Sequence, residues 1–200
     1  EKSKSISTIS LSRIDVDFKD ATLVFPVAVL KSFKTLISGN VAISGNGLPF
    51  KIGGDINVVR ARSTKEVDIR NEIFDALRRS RFRTELASDK PNFLFDLNIN
   101  SNKSINIHNR NVKAIMSADL QVKGSDIAPQ VLGQIQVNRG EFNYKRQFNI
   151  VRGIVTFDDP VKPDPSLDIL AEADVGSYKV YINTTVKVGE SRTLNVDKQK

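Results

Sequence analysis

The 200-residue sequence has no cysteine, no tryptophan, one histidine and one methionine. Without cysteine there is no disulfide, no thiolate metal ligand and no cysteine nucleophile. A lone histidine, His108, excludes a histidine-rich zinc site within one chain. Long apolar runs are also missing. The longest, Ala21 to Leu30, is interrupted by Thr22 and Pro26 and falls well short of the roughly 18 residues that a membrane-spanning helix needs. Acidic residues are outnumbered, 23 against 30 basic ones, which leaves a formal net charge of +7. That balance is compatible with nucleic acid, anionic lipid or an acidic partner and selects none of them. Glu1 is neither an initiator methionine nor the start of a signal peptide, so the chain reads as one domain, residues 1–200, cut from a longer protein.

What the sequence has in abundance is alternation. Phe93, Phe95, Leu97 and Ile99 are separated by polar residues that include Asp96 and Asn98. A strand sends successive side chains to opposite faces, so such a segment has one apolar and one polar face. The pattern recurs at Ile14/Val16/Phe18, Phe50/Ile52/Ile56/Val58, Ile105/Ile107 and Val112 to Val122. It recurs again at Val131/Ile135/Val137, Leu167/Ile169/Ala171 and Tyr178 to Val188. About ten to twelve strands are expected, in a meandering antiparallel-type sheet. Turns or bulges are expected at residues 45–47 and 53–54, breaks between apolar runs at 91–92, 102–103, 109–111 and 139–140, and an extended connection at 158–165. Ser63 to Glu66 matches a capping box, and Ile69, Ile73 and Leu77 follow at helical spacing, which predicts one short helix over 66–80. The first five residues and those from Val196 onward read as frayed.

Catalytic chemistry finds little support. On its strand Ile107 faces inward, which turns His108 outward to solvent. Asp15 and Asp17 alternate with apolar residues on a polar strand face, and Asp158-Asp159 before Pro160 reads as a turn. No glycine-rich phosphate loop and no metal-ligand cluster is present. Arg60, Arg62, Lys65, Arg70, Arg78, Arg79, Arg81 and Arg83 form a basic region, partly offset by acidic neighbours and poor in the aromatic residues that nucleic-acid binding uses. The apolar face is left, and alternation alone does not decide its use. Two such faces can close into a β-sandwich, or one curled sheet can leave a groove.

From about residue 93 to 190 the chain resembles the C-terminal domain of the TamB family, AsmA-like bridge proteins of the Gram-negative envelope. The likeness lies in an ordered series: Phe93-Leu94-Phe95-Asp96-Leu97, then Ile105-Asn106-Ile107, then Ala118-Asp119-Leu120-Gln121-Val122, then Pro129 to Gly133. The most telling stretch is Val137-Asn138-Arg139-Gly140-Glu141-Phe142-Asn143-Tyr144, followed by Phe148-Asn149-Ile150, Gly153 to Phe157 and Pro165 to Ile169.

The resemblance implies a mainly β domain, a long curled sheet shaped as a taco-like trough with a hydrophobic interior. It implies a non-enzymatic periplasmic bridge that carries phospholipid acyl chains between the membranes and supports outer-membrane protein assembly. The implied partner is an Omp85-type, TamA-like barrel, the implied parent is anchored in the inner membrane, and no cofactor, metal or nucleic acid is implied. The groove candidates are Phe93, Phe95, Leu97 and Ile99, then Leu120 and Val122, then Ile135, Val137 and Phe142. Phe148, Ile150, Phe157, Leu167, Ile169, Val180 and Ile182 complete that face, and Ile56 and Val58 join it from upstream. The alternative is a structural module that docks the barrel by strand-edge pairing, without lipid cargo.

Overall fold

A computed structural model describes residues 11–23, 33–63, 90–160, 165–187 and 195–199. The described residues form ten strands: β1 (Leu11–Leu23), β2 (Phe33–Gly45), β3 (Phe50–Ser63), β4 (Phe93–His108) and β5 (Val112–Ser125). They continue as β6 (Pro129–Tyr144), β7 (Arg146–Phe157), β8 (Ser166–Val175), β9 (Tyr178–Lys187) and β10 (Asn195–Gln199). All ten lie in one sheet in sequence order, β1 to β10, which does not close on itself. Each strand packs on its hydrogen-bonded neighbours, and no second sheet lies over the first among the described residues. The β-sandwich is therefore not the arrangement adopted.

The sheet is antiparallel with one exception. β3 and β4 run parallel, with Phe50 opposite Phe93 and Ile56 opposite Ile99. Parallel neighbours need a crossover of a dozen or more residues, whereas antiparallel ones need only a turn. Residues 64–92 supply the length, which is where the strand periodicity lapses. The helix expected over 66–80 lies outside the described residues. A polar ladder stitches this junction on the solvent face. Asn98 Nδ2 donates to Asp55 Oδ1 at 2.8 Å, and Gln121 Nε2 donates to Asn98 Oδ1 at 3.3 Å.

Several expected breaks are not breaks. Residues 102–103 do not separate two strands: β4 runs through them, with a register shift between Ser101 and Ile105 and Lys103 at φ 53°. The Lys103 amide is satisfied by Ser117 Oγ at 2.9 Å, and the Ser104 hydroxyl bonds the Val58 carbonyl, so the extra residues are absorbed as a bulge. Residues 139–140 likewise lie inside β6, and 53–54 inside β3. Residues 195–199 are not frayed, since β10 pairs with β9 from Asn195 to Gln199. The turn at 109–111 is present. Asn109 Oδ1 accepts from the amides of Asn111 at 3.0 Å and Val112 at 2.7 Å, and so closes the β4–β5 hairpin.

Candidate functional site: the apolar face of the sheet

Residues directly opposite one another on paired strands share a face, so the register shows which side chains run together. One row crosses seven strands: Phe18, Gly39, Ile56, Ile99, Leu120, Gly133 and Phe157. A second runs through Ala118, Ile135, Val155 and Leu167. A third runs through Ile107, Ala114, Gly140, Ile150, Ala171 and Ile182. The remaining candidates join these rows through their partners: Val58 opposite Ile37, Leu97 opposite Val122, Val137 opposite Met116, Ile169 opposite Gly153 and Val180 opposite Ala173. Phe93 and Phe95 lie opposite Phe50 and Ile52. The register thus brings every groove candidate to one face.

That face is only half covered. Among the candidates Phe148 is buried and Phe93 is exposed, while the others are intermediate. A sandwich core would bury most of them. The best-buried apolar positions are instead mostly alanines: Ala61, Ala114, Ala118, Ala171 and Ala173, with Ile37 and Phe148. A short side chain on the sheet floor is shielded by taller neighbours on adjacent strands, which themselves stay accessible from above. The densest packing lies toward the β6–β9 side, where Phe148, Ala171 and Ala173 contact Phe142, Ile169, Val180 and Ile182. Phe142 and Phe148 stack with ring centroids 5.4 Å apart and planes 11° apart. The opposite edge is more open, with Ile14 and Val16 on β1 both exposed.

Packing on this floor is tight enough to exclude a methyl group. A Cβ on Gly153 would sit 2.8 Å from Val137 Cγ2 and 3.3 Å from Ile150 Cγ2. Gly153→Ala is therefore expected to destabilise the fold by about 1–3 kcal/mol, the usual cost of overpacking. Val137→Ala in the same chain should recover part of that loss. Urea unfolding of the two single variants and the double variant measures the coupling.

The polar face carries cross-strand ion pairs: Arg152 with Asp168 at 2.8 Å, Lys113 with Glu141 at 2.7 Å and Lys179 with Glu172 at 3.6 Å. Lys113 donates to Glu141 and holds its carboxyl below the usual range, with help from Gln147 Nε2 at 2.7 Å. At the β5–β6 turn, Asp126 accepts from Asn92 N, Phe93 N and Asn92 Nδ2 at 3.1–3.3 Å and ties the start of β4 to that turn. Desolvation opposes its charge, but these hydrogen bonds outweigh it and lower the pKa. Carboxyls lowered on folding stabilise the native state above their unfolded pKa values, and that contribution is lost as pH falls through the folded values. The urea midpoint should therefore drop on acidification to roughly pH 3, and drop less in Asp126→Asn. An equal drop in both chains would remove Asp126 from the account.

Sequence reasoning missed β2 as part of the site. Its apolar positions Ile37, Val41 and Ile43 keep the alternation, but Thr35 and Gly39 interrupt the hydrophobic count. Parity, read without regard to side-chain size, carries the signal. Ala114, Ala118 and Ala171 fit the alternation in the sequence but are not among the groove candidates, although their positions are among the most covered. His108 is exposed, as expected. Among the described residues there is no metal-binding cluster and no helix long and apolar enough to cross a membrane.

An open, one-layer sheet with a continuous and half-covered apolar face defines a non-globular amphipathic β-domain. The sequence profile of the TamB C-terminal domain matches residues 4–195, and the chain belongs to that family. Comparison with curated proteins gave no match. TamB is a family of the Gram-negative envelope and not a family of enzymes.

Proposed function

We propose that this chain is a periplasmic bridge domain whose sheet curls into a trough and carries phospholipid acyl chains along its apolar face. The observation that carries the reading is the run of apolar cross-strand rows that together extend from β1 to β9, with no second layer upon them among the described residues. Register shifts place extra residues in β1, β3, β4, β6 and β7, and such bulges are the devices that bend a sheet. Covering an acyl chain on such a face is worth roughly 0.8 kcal/mol per CH₂, a gain that a closed sandwich could not offer. Native mass spectrometry of the purified chain tests this directly. Phospholipid should be found bound, and a chain that carries none, even after incubation with vesicles, would retire the idea. Inner-membrane anchorage of the parent, transport between membranes and support of outer-membrane assembly follow as parts of the same proposal.

One observation favours a second reading. Among the described residues the sheet has free edges, and the 13 residues of β1 pair with β2 on one side only. An Omp85-type, TamA-like barrel could be engaged there by strand addition. Arg13, Asp15, Asp17 and Lys19 sit along that strand, the kind of charge that discourages indiscriminate edge pairing. Of two adjacent residues on an edge strand, one amide faces its neighbour and the other faces outward. The variants Val16→Pro and Asp17→Pro therefore include one that spares the β1–β2 ladder. If that variant loses the barrel and keeps its lipid, docking rests on the edge and the apolar face serves separately.

A further inference from the structure

On the polar face, strands β3 to β7 line a concavity of about 860 Å³. Its walls gather cations that are distant in sequence: Arg60 and Arg62 from β3, Lys113 from β5 and Arg139 from β6. The register explains the convergence. Arg62, Asn106, Ile115 and Arg139 stand in one cross-strand row, so the two arginines flank it from either end. Neighbouring strands lie about 4.8 Å apart, which puts the two backbones roughly 14 Å from each other.

Some charges on this face are neutralised in pairs, as in Arg13–Asp15, Arg152–Asp168 and Lys179–Glu172. Around this concavity four basic side chains, Arg60, Arg62, Lys113 and Arg139, face a single carboxylate. Glu141 is the one carboxylate on the wall, and it is engaged by Lys113 and Gln147. Among the described residues Arg60, Arg62 and Arg139 make no ion pair, although Arg139 is near enough to Glu141 to help lower its pKa. Guanidinium groups present planar forks of donors that match phosphate oxygens two at a time. The volume is that of a small-molecule site and exceeds the needs of one phosphate, so an organic group or a second phosphate fits beside it.

We infer that this concavity binds a phosphate-bearing anion, held between Arg62 and Arg139 with Arg60 beside them. The charged side chains of the site stand on the polar face, although Ile107, Ala114, Gly140 and Ile150 of the apolar row also line it. The same chemistry could come from a soluble phosphorylated compound or from a phospholipid headgroup.

The test uses the ¹⁵N-labelled 200-residue chain, titrated with inorganic pyrophosphate and, separately, with phosphatidylglycerol or phosphatidylcholine vesicles at low salt. Amide shifts are expected in β3 to β6 around Arg62 and Arg139. Each lost charge-assisted contact should weaken binding roughly ten-fold, so the double variant Arg62→Gln/Arg139→Gln should bind about a hundred-fold more weakly. Both arginines are exposed, and the unfolding midpoint verifies that the variant remains folded. Arg13→Gln, on β1, should bind as the parent does. Pyrophosphate binding that depends on the two arginines supports a soluble source. Binding to phosphatidylglycerol vesicles alone, with the same dependence, supports a headgroup. No binding to either probe, or equal binding by the double variant and Arg13→Gln, overturns the inference.

Discussion

Ile135→Asp is expected to abolish phospholipid capture while leaving a folded chain. Ile135 sits in the middle of the sheet, opposite Ala118 on β5 and Val155 on β7, and is half-buried. Without lipid, an aspartate there reaches solvent from the open side, so its charge costs the fold little. With an acyl chain laid over it, the same carboxylate would lose its water and find no partner among Ala118, Val155 and Leu167. Burying an unpaired charge costs several kcal/mol, so a loss of at least a hundred-fold in lipid affinity is expected. The measurement is native mass spectrometry after incubation with vesicles, read beside circular dichroism. Photo-crosslinking from position 135 in the otherwise unchanged chain provides a second readout. Undiminished lipid binding by folded Ile135→Asp would place the acyl chains elsewhere or nowhere on this face.

The largest stability loss is expected at Phe148. It is 7% exposed, stacked on Phe142 and packed against Ala171 and Ala173. Phe148→Ala removes the stack and opens a cavity in the one densely packed part of the face. The cost should be about 3 kcal/mol, near the lower end for buried phenylalanine because one side of the sheet remains open. At 37% exposed, Phe93 offers the contrast. Phe93→Ala should cost no more than roughly 0.5–1 kcal/mol, although both positions alternate equally well in the sequence. Urea unfolding with unchanged m values would measure both. Equal losses at the two sites would show that burial on this face is uniform, contrary to the structure.

The two experiments separate what the apolar face does for the fold from what it does for a ligand. Near β6–β9 the face is partly satisfied by itself. Toward β1 it is less so, and there the lipid and docking readings compete most directly. An acyl chain and an added strand call on different atoms, side chains for the first and backbone groups for the second.

The sequence by itself determined the strands and the sidedness of the sheet. Alternation is a local property: a two-residue period puts Phe93, Phe95, Leu97 and Ile99 on one side wherever the strand ends up. It also excluded cysteine chemistry and kept His108 away from any catalytic reading. The tertiary structure decided what the local pattern cannot encode. Whether two apolar faces meet or one stays open depends on which strands pair, and all ten pair edge to edge in a single layer. The parallel β3–β4 junction is invisible to alternation, because parity is the same whichever way the chain runs. The breaks near 102–103 and 139–140 became bulges because partners such as Ser117 and Val58 lie on other strands. The gathering of Arg60, Arg62 and Arg139 around one concavity arose in the same way, from cross-strand register joining residues far apart along the chain.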